Sequence, residues 1–161
     1  ITLLNRIVAE QAEEQFGNEF LVYLLIMELF VMISRVLKLE WERSITEDSP
    51  KQKELIQLAK DFILNHYERD IGLKDICGYV FLSPSYFARI FKQEIGHSPI
   101  SLLIHTRIDR AKELLAESED KASDIALSVG FSNQQRFNET FKKLTGMTPL
   151  EYRKKATGRS E

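Results

Sequence analysis

The stretch "SPSYFARIFKQEIGHSP", residues 83–99, returns in outline as "NQQRFNETFKKLTGMTP", residues 133–149. Phe87 matches Phe137, Phe91 matches Phe141, Lys92 matches Lys142, Gly96 matches Gly146 and Pro99 matches Pro149, all at an offset of 50. Upstream, Asp75-Ile76 matches Asp124-Ile125 and Val80 matches Val129 at an offset of 49, so one extra residue lies in the second turn. Two copies are too few for a solenoid, which needs about three or more. The chain therefore reads as a duplicated supersecondary unit.

Each copy has a short helix, "LKDICGYV" (73–80) or "ASDIALSV" (122–129), and a tight turn, "FLS" (81–83) or "GFSN" (130–133). A second amphipathic helix follows, expected at about 84–94 and 133–144, and ends near Gly96 or Gly146, where glycine suits the left-handed residue after a helix. Short helix, tight turn and longer helix is the helix-turn-helix pattern, whose second helix enters the DNA major groove. The plain alternative is a helical hairpin; two units with matched glycine and proline argue against it. Between the copies, "SPISLLIHTRIDRAKELLAES" (98–118) starts with a Ser N-cap and Pro at N1 and keeps apolar residues at helical spacing. A helix of roughly 17 residues, about 25 Å long, would hold two recognition helices about one DNA turn apart.

Outside this region the signals are helical too, and no alternating β-branched run marks a strand. Ser49-Pro50, with Gln52 completing a capping-box pattern, reads as a helix start after the polar stretch "SITEDSP" (44–50). Before it, Leu3, Leu4, Ile7, Val8 and Ala12 follow the helical period, Gly17-Asn18 breaks the run, and residues 19–43 are apolar nearly all round. The uninterrupted run Phe20–Met27 is far below the roughly 20 residues of a membrane span, and Glu28 follows it, so no span is expected. A helix apolar on all faces needs a cover, either a further domain or a second copy.

The 161 residues suffice for one domain or two small ones, and the lone Cys77 excludes an intramolecular disulfide and fits a reducing compartment. No secretory signal is visible in residues 1–14, and a cytoplasmic location is expected. Residues 1–50 carry 4 Lys/Arg against 9 Asp/Glu, and residues 51–161 carry 18 against 15, a split that assigns the two parts different partners.

The residues "LSPSYFARIFKQEIGHSPISLLIHTRIDRAKELL" and "IALSVGFSNQQRFNETFKKLTGMTPLEYR" resemble the AraC/XylS family of bacterial transcription regulators over about residues 53–153. The resemblance implies an all-α DNA-binding domain at 53–157, divided into a first helix-turn-helix (53–97), a linker helix (98–116) and a second helix-turn-helix (117–157). Residues 1–44 resemble the helical hairpin that ends the family's effector domains, with 45–52 as linker. The implied partners are double-stranded DNA, a second copy through residues 1–43, and RNA polymerase, in an activator without a membrane association. A missing initiator Met fits a fragment, with any small-molecule effector bound in a part not included.

On the first recognition helix, core spacing of Phe87, Ile90 and Phe91 turns Ser85, Ala88, Arg89 and Lys92 outward. Arg89 can fork onto guanine or pair with Glu94 instead. On the second, Phe137 and Phe141 leave Asn133, Gln134, Gln135, Arg136, Asn138 and Glu139 at the groove or its rim. The resemblance points to Gln134, Gln135 and Arg136 as base contacts. Glu139 departs from the family, and the residues leave open whether it accepts from cytosine N4 or orients Arg136. Expected phosphate contacts are Ser83, Lys92, Ser98, Arg107, Lys142, Lys143, Thr148, Lys154 and Lys155, from cations and helix starts. Thr148 with Glu151 is also a complete capping box, which fits a purely structural role equally. Phe81 stands where the family commonly has glycine. A positive φ there would carry about 1–3 kcal/mol of strain, so the turn is expected to adjust or Phe81 to fill a gap.

Nothing points to an enzyme, a metal or a cofactor. His66, His97 and His105 have no ligand spacing. Cys77 aligns with Ala126 and reads as a buried structural thiol, the alternative being an alkyl-accepting or redox thiol. The competing functions are a helical protein-interaction module, favoured by a pI near 6.0, and sequence-indifferent architectural DNA binding.

Overall fold

The computed structural model describes residues 2–12, 17–44 and 49–158. The chain divides between Thr46 and Glu47 into two compact units, and every described element is helical.

The first unit is a pair of helices, α1 (Thr2–Ala12) and α2 (Asn18–Ser44). Asn18 Nδ2 donates to the Glu10 carbonyl at 3.1 Å and so ties the start of α2 to the last turn of α1. Ile7 and Leu25 are buried. With 11 residues against 27, α1 spans roughly 16 Å and α2 roughly 40 Å, so most of α2 has no cover within the unit. Phe20, Met27, Phe30, Val31, Leu37 and Trp41 are exposed. The membrane expectation counted only Phe20–Met27. The helix instead runs unbroken through Glu28, and Asn18–Glu42 is long and apolar enough, by length and composition, to cross a bilayer.

The second unit contains α3 (Pro50–His66), α4 (Leu73–Tyr79), α5 (Pro84–Ile95), α6 (Pro99–Glu117), α7 (Ala122–Ser128), α8 (Gln134–Thr145) and α9 (Pro149–Thr157). Local chemistry sets the helix starts. Ser49 Oγ accepts from Gln52 N at 3.1 Å, and Ser98 Oγ accepts from Ser101 N at 3.1 Å, each followed by Pro at N1. Pro50–Gln52 are thus the first turn of α3 rather than linker, and residues 45–48 lie outside the described set. The Gln52 side chain is buried with Oε1 unpartnered, so the reciprocal half of the expected capping box is not made. Gly96 and Gly146 end α5 and α8 in the left-handed conformation, at φ +83° and +81°.

The repeat reaches further than the two quoted phrases. "IQLAKDFI" (56–63) at the centre of α3 matches "IDRAKELL" (108–115) in α6 at an offset of 52. Ile56 and Ile108, Ala59 and Ala111, and Ile63 and Leu115 are buried in matching pairs. So are Ile76 and Ile125, Cys77 and Ala126, Phe87 and Phe137, and Phe91 and Phe141. Each half of the repeat is therefore a three-helix cluster, α3-α4-α5 or α6-α7-α8, both within the second unit. The connecting helix is more than a strut, because Ile108, Ala111 and Leu115 of α6 belong to the second core. α9 closes that core, with the Tyr152 ring edge-on to Phe141 at 5.5 Å. Cys77 is buried, with Sγ 3.4 Å from the Lys74 carbonyl.

The two turns differ in length by one residue, as the offsets require, and they solve one backbone problem differently. Gly130 has φ +89°, and a Cβ there would lie 2.6 Å from the Tyr67 carbonyl oxygen and 2.9 Å from that of Glu68. Phe81, at the matching place, takes φ +56° and is 79% exposed. The turn does not adjust, and Phe81 fills no gap; it bears the left-handed strain in the open. Gly130→Ala is accordingly expected to cost about 2–4 kcal/mol, from strain plus backbone collision. Phe81→Asn, which suits the left-handed region, is expected to gain up to about 1 kcal/mol. Urea unfolding followed by circular dichroism measures both.

Candidate nucleic-acid interface

The side chains available to a ligand are those the two cores leave outside. On α5, Phe87, Ile90 and Phe91 are fully buried, and this turns Ser85, Arg89 and Lys92 into solvent with Ala88 half-buried. The Arg89 guanidinium lies over the Tyr86 ring at 5.3 Å, a cation–π contact one turn back that holds the long side chain along the helix surface. Ser83, the N-cap, makes no side-chain cap bond to the helix.

On α8, Phe137 and Phe141 are buried, and Gln134, Gln135, Arg136 and Glu139 are exposed with Asn138 half-buried. Asn133 is the N-cap rather than a helical residue: its Oδ1 accepts from Arg136 N at 2.8 Å. That bond commits Asn133 to the helix start and anchors the first turn, which carries Gln134, Gln135 and Arg136. Gln135 Nε2 donates to Glu139 Oε1 at 3.0 Å. Glu139 thus orients Gln135, not Arg136. Both recognition helices end in cations, Lys92 on α5 and Lys142 with Lys143 on α8, where positive charge also complements the helix dipole. Lys154 and Lys155 are exposed in the last turn of α9.

Two of the expected phosphate ligands have other work in the fold. Arg107 Nε donates to the Tyr67 carbonyl at 2.7 Å, and a terminal nitrogen donates to the Arg69 carbonyl at 2.7 Å. Its guanidinium is half-buried, and desolvation lowers its pKa, opposed by Asp70 and aided by the nearby Arg136. It is a tie between the two halves of the domain. Thr148 is the other. Its Oγ1 accepts from Glu151 N at 3.3 Å, and its own N–H donates to Glu151 Oε2 at 2.7 Å. A carboxylate already sits on the start of α9, so a phosphate there would meet negative charge. Ser98 caps α6 without a carboxylate and is exposed.

Residues absent from the sequence reading complete the frame. Tyr67 follows α3 yet packs against the second core, and Arg110 Nε reaches its hydroxyl at 3.4 Å. Arg153 donates to the Leu115 carbonyl at 3.4 Å and to that of Asp120, binding α9 to the end of α6. The signal for Arg107 was present: in the 52-residue match it replaces Leu55, an arginine on the inner edge of a core helix. The rings of His97 and His105 stack at 6.1 Å, and among the described residues no group of three or more His, Cys, Asp or Glu could hold a metal ion.

A family model described as a helix-turn-helix domain matches residues 76–155. The chain is 31% identical over 159 residues to the probable transcriptional regulator LumQ of Photobacterium leiognathi, covering 86% of this chain and 64% of that protein. Among solved structures, it resembles the C-terminal domain of AraT, a response regulator from Geobacillus stearothermophilus, at 34% identity and TM-score 0.62, over 68% of this chain and 88% of that one. It also resembles a transcriptional regulator of Chromobacterium violaceum described as containing an AraC-type DNA-binding domain, at 26% identity and TM-score 0.61, over 70% and 100%. The chain spans between 48% and 64% of the length of the first curated relatives it matches.

The α9 cap has a pH signature. The Thr148 backbone N–H and hydroxyl hold the Glu151 carboxyl below its ordinary pKa. A lowered carboxyl pKa stabilises the fold above the unfolded value, and this contribution is lost as pH falls through the folded value. The wild type should therefore lose melting temperature on acidification below about pH 4.5 more steeply than Glu151→Gln, while Thr148→Ala costs about 1 kcal/mol at neutral pH. Thermal melts across pH 3–7 test both.

Proposed function

The chain belongs to the AraC family of transcriptional regulators, and from that premise we propose that it binds double-stranded DNA sequence-specifically through two successive major-groove segments. The observation that carries the reading is the matched exposure on α5 and α8. Both helices bury phenylalanines at matching places, Phe87 with Phe137 and Phe91 with Phe141; α5 then exposes Ser85 and Arg89, α8 exposes Gln134, Gln135 and Arg136, and both carry lysine in the last turn. We assign base contacts to Ser85, Ala88 and Arg89 in the first segment. In the second they fall to Gln134, Gln135, Arg136 and Asn138, with Glu139 acting by orienting Gln135. Phosphate contacts fall to Lys92, Lys142, Lys143 and Lys154, with Ser83 and Ser98 at helix starts. Arg107 and Thr148 are excluded because their polar groups are engaged within the chain. The protein has no catalytic role in this reading, and its place is the cytoplasm with the DNA.

The domain proposed for this work extends from α3 to α9. The first unit serves as a dimerisation element: the exposed apolar length of α2 is covered by a second copy, which would present four recognition helices to one operator. Glu28 near the middle of α2, costing about 3 kcal/mol at a bilayer centre, favours this cover over a membrane. Contact with RNA polymerase belongs to the same proposal.

Selection of bound duplexes from a random pool tests the reading. Arg89→Ala and Gln134→Ala are each expected to weaken binding to the selected sequence by about 5- to 100-fold while leaving scrambled duplexes nearly unchanged. Lys142→Ala should weaken all duplexes about equally and reduce the salt slope by about 1. A protein-interaction module would show no salt-dependent duplex binding, and an architectural binder would treat scrambled duplexes like the selected one. In sedimentation equilibrium, Val31→Glu should convert a dimer to a monomer; a monomeric wild type would overturn the role given to α2.

A further inference from the structure

A strut alone does not fix how two bodies are rotated about it. α6 belongs to the second cluster through Ile108, Ala111 and Leu115 and also packs on α3, α4 and α5 of the first, so the angle between the clusters is set where the first cluster meets α6. Rotation is best resisted by an attachment away from the helix axis, and one is built around Arg107. Beyond the end of α3, the carbonyls of Tyr67 and Arg69 both accept from the Arg107 guanidinium at 2.7 Å. The turn of the second cluster presses onto the same spot. A Cβ on Gly130 would lie 2.6 Å from the Tyr67 oxygen and 2.9 Å from Arg107 Nε. The guanidinium also rests 5.9 Å from the Phe131 ring centroid, and the Tyr67 ring packs into the second core.

Three pieces of chain therefore meet at one point: the loop that leads into α4 and α5, the middle of α6, and the turn that leads into α8. Gly130 is four residues from the first residue of α8, so any shift of this turn moves the reading end of the second helix. Arginine suits the place because its planar fork serves two carbonyls at once; lysine offers a single point of charge. The matching position in the first cluster is Leu55, and the residue matching Gly130 there, Phe81, stands in the open.

We infer that Arg107, locked against Tyr67 and Gly130, is a positioning residue that sets which half-site spacing the protein accepts, by fixing the angle between its two recognition helices. The inference rests on the DNA-binding reading above, and the experiment separates the two. The probes are the selected duplex, the same duplex with one base pair inserted or removed between the two half-sites, and a duplex keeping one half-site only. One base pair displaces a half-site by about 3.4 Å and rotates it by about 35°. The wild type should lose at least about 30-fold in affinity on insertion or removal, as a rigid pair must. Arg107→Ala and Arg107→Lys should lose no more than about 5-fold, while binding the single half-site as the wild type does. A merely structural role would lower affinity for all duplexes alike and leave the spacing ratio intact. Circular dichroism establishes that the variants fold, and Arg107→Lys, which keeps charge and stem, carries the test should Arg107→Ala fail to fold. Variants that keep the full spacing penalty, or a wild type with none, overturn the inference. A wild type that selects no duplex overturns the functional reading instead.

Discussion

The contact between the Gly130 turn and the carbonyls of Tyr67 and Glu68 is the constraint on which the domain depends. Backbone meets backbone there, with no room for a Cβ. Close approach restricts water at these carbonyls, and Arg107 on α6 donates to that of Tyr67 and to the neighbouring carbonyl of Arg69. One glycine and one arginine thus turn two small helical clusters into a single body. Neither cluster buries enough apolar surface to be independently robust at this size. The seam adds Tyr67 to the second core and so contributes to stability as well as geometry.

The duplication makes the asymmetry between the halves informative. Matched core positions carry matched side chains, with Phe87 and Phe91 answering Phe137 and Phe141 in depth as well as in number. The surfaces beside the turns diverge. The second cluster has Arg107 and Gly130, and the first cluster has Leu55 and Phe81. The second turn is closed over by the loop after α3 in the first cluster, so its left-handed residue has to be glycine. The first turn has nothing packed upon it at Phe81, so a bulky residue survives there at the cost of backbone strain alone.

The reading surface is built by subtraction. Amphipathic helices of 12 residues, stopped at both ends by caps and glycine, have about three turns. One face is consumed by the phenylalanines. What remains is short enough that neighbouring polar side chains touch, as Gln135 and Glu139 do. Such internal bonds decide which atoms stay free for a base edge. Side-chain pairs one turn apart are therefore part of recognition, and the identity of an exposed residue alone does not define its role.

The duplicated phrases, the caps at Ser49, Ser98 and Thr148, the glycine stops and the buried thiol were legible in the sequence, because local periodicity and capping depend on residues within a few positions of one another. The all-helical architecture and the two recognition helices followed to within one residue. The role of Glu139 and the partners of Arg107, Tyr67 and Arg153 were not legible. An arginine or a carboxylate reads as a solvated charge until the fold shows which carbonyl or amide stands opposite, and for Arg107 that partner lies 40 residues away. Phe81 and Gly130 show the same division: the sequence marks both as turn residues, yet only the packing of one cluster on the other determines that Gly130 has no space for a side chain and that Phe81 has all it needs. Short-range order is written in neighbouring side chains, whereas the fate of a polar group depends on what the chain later folds against it.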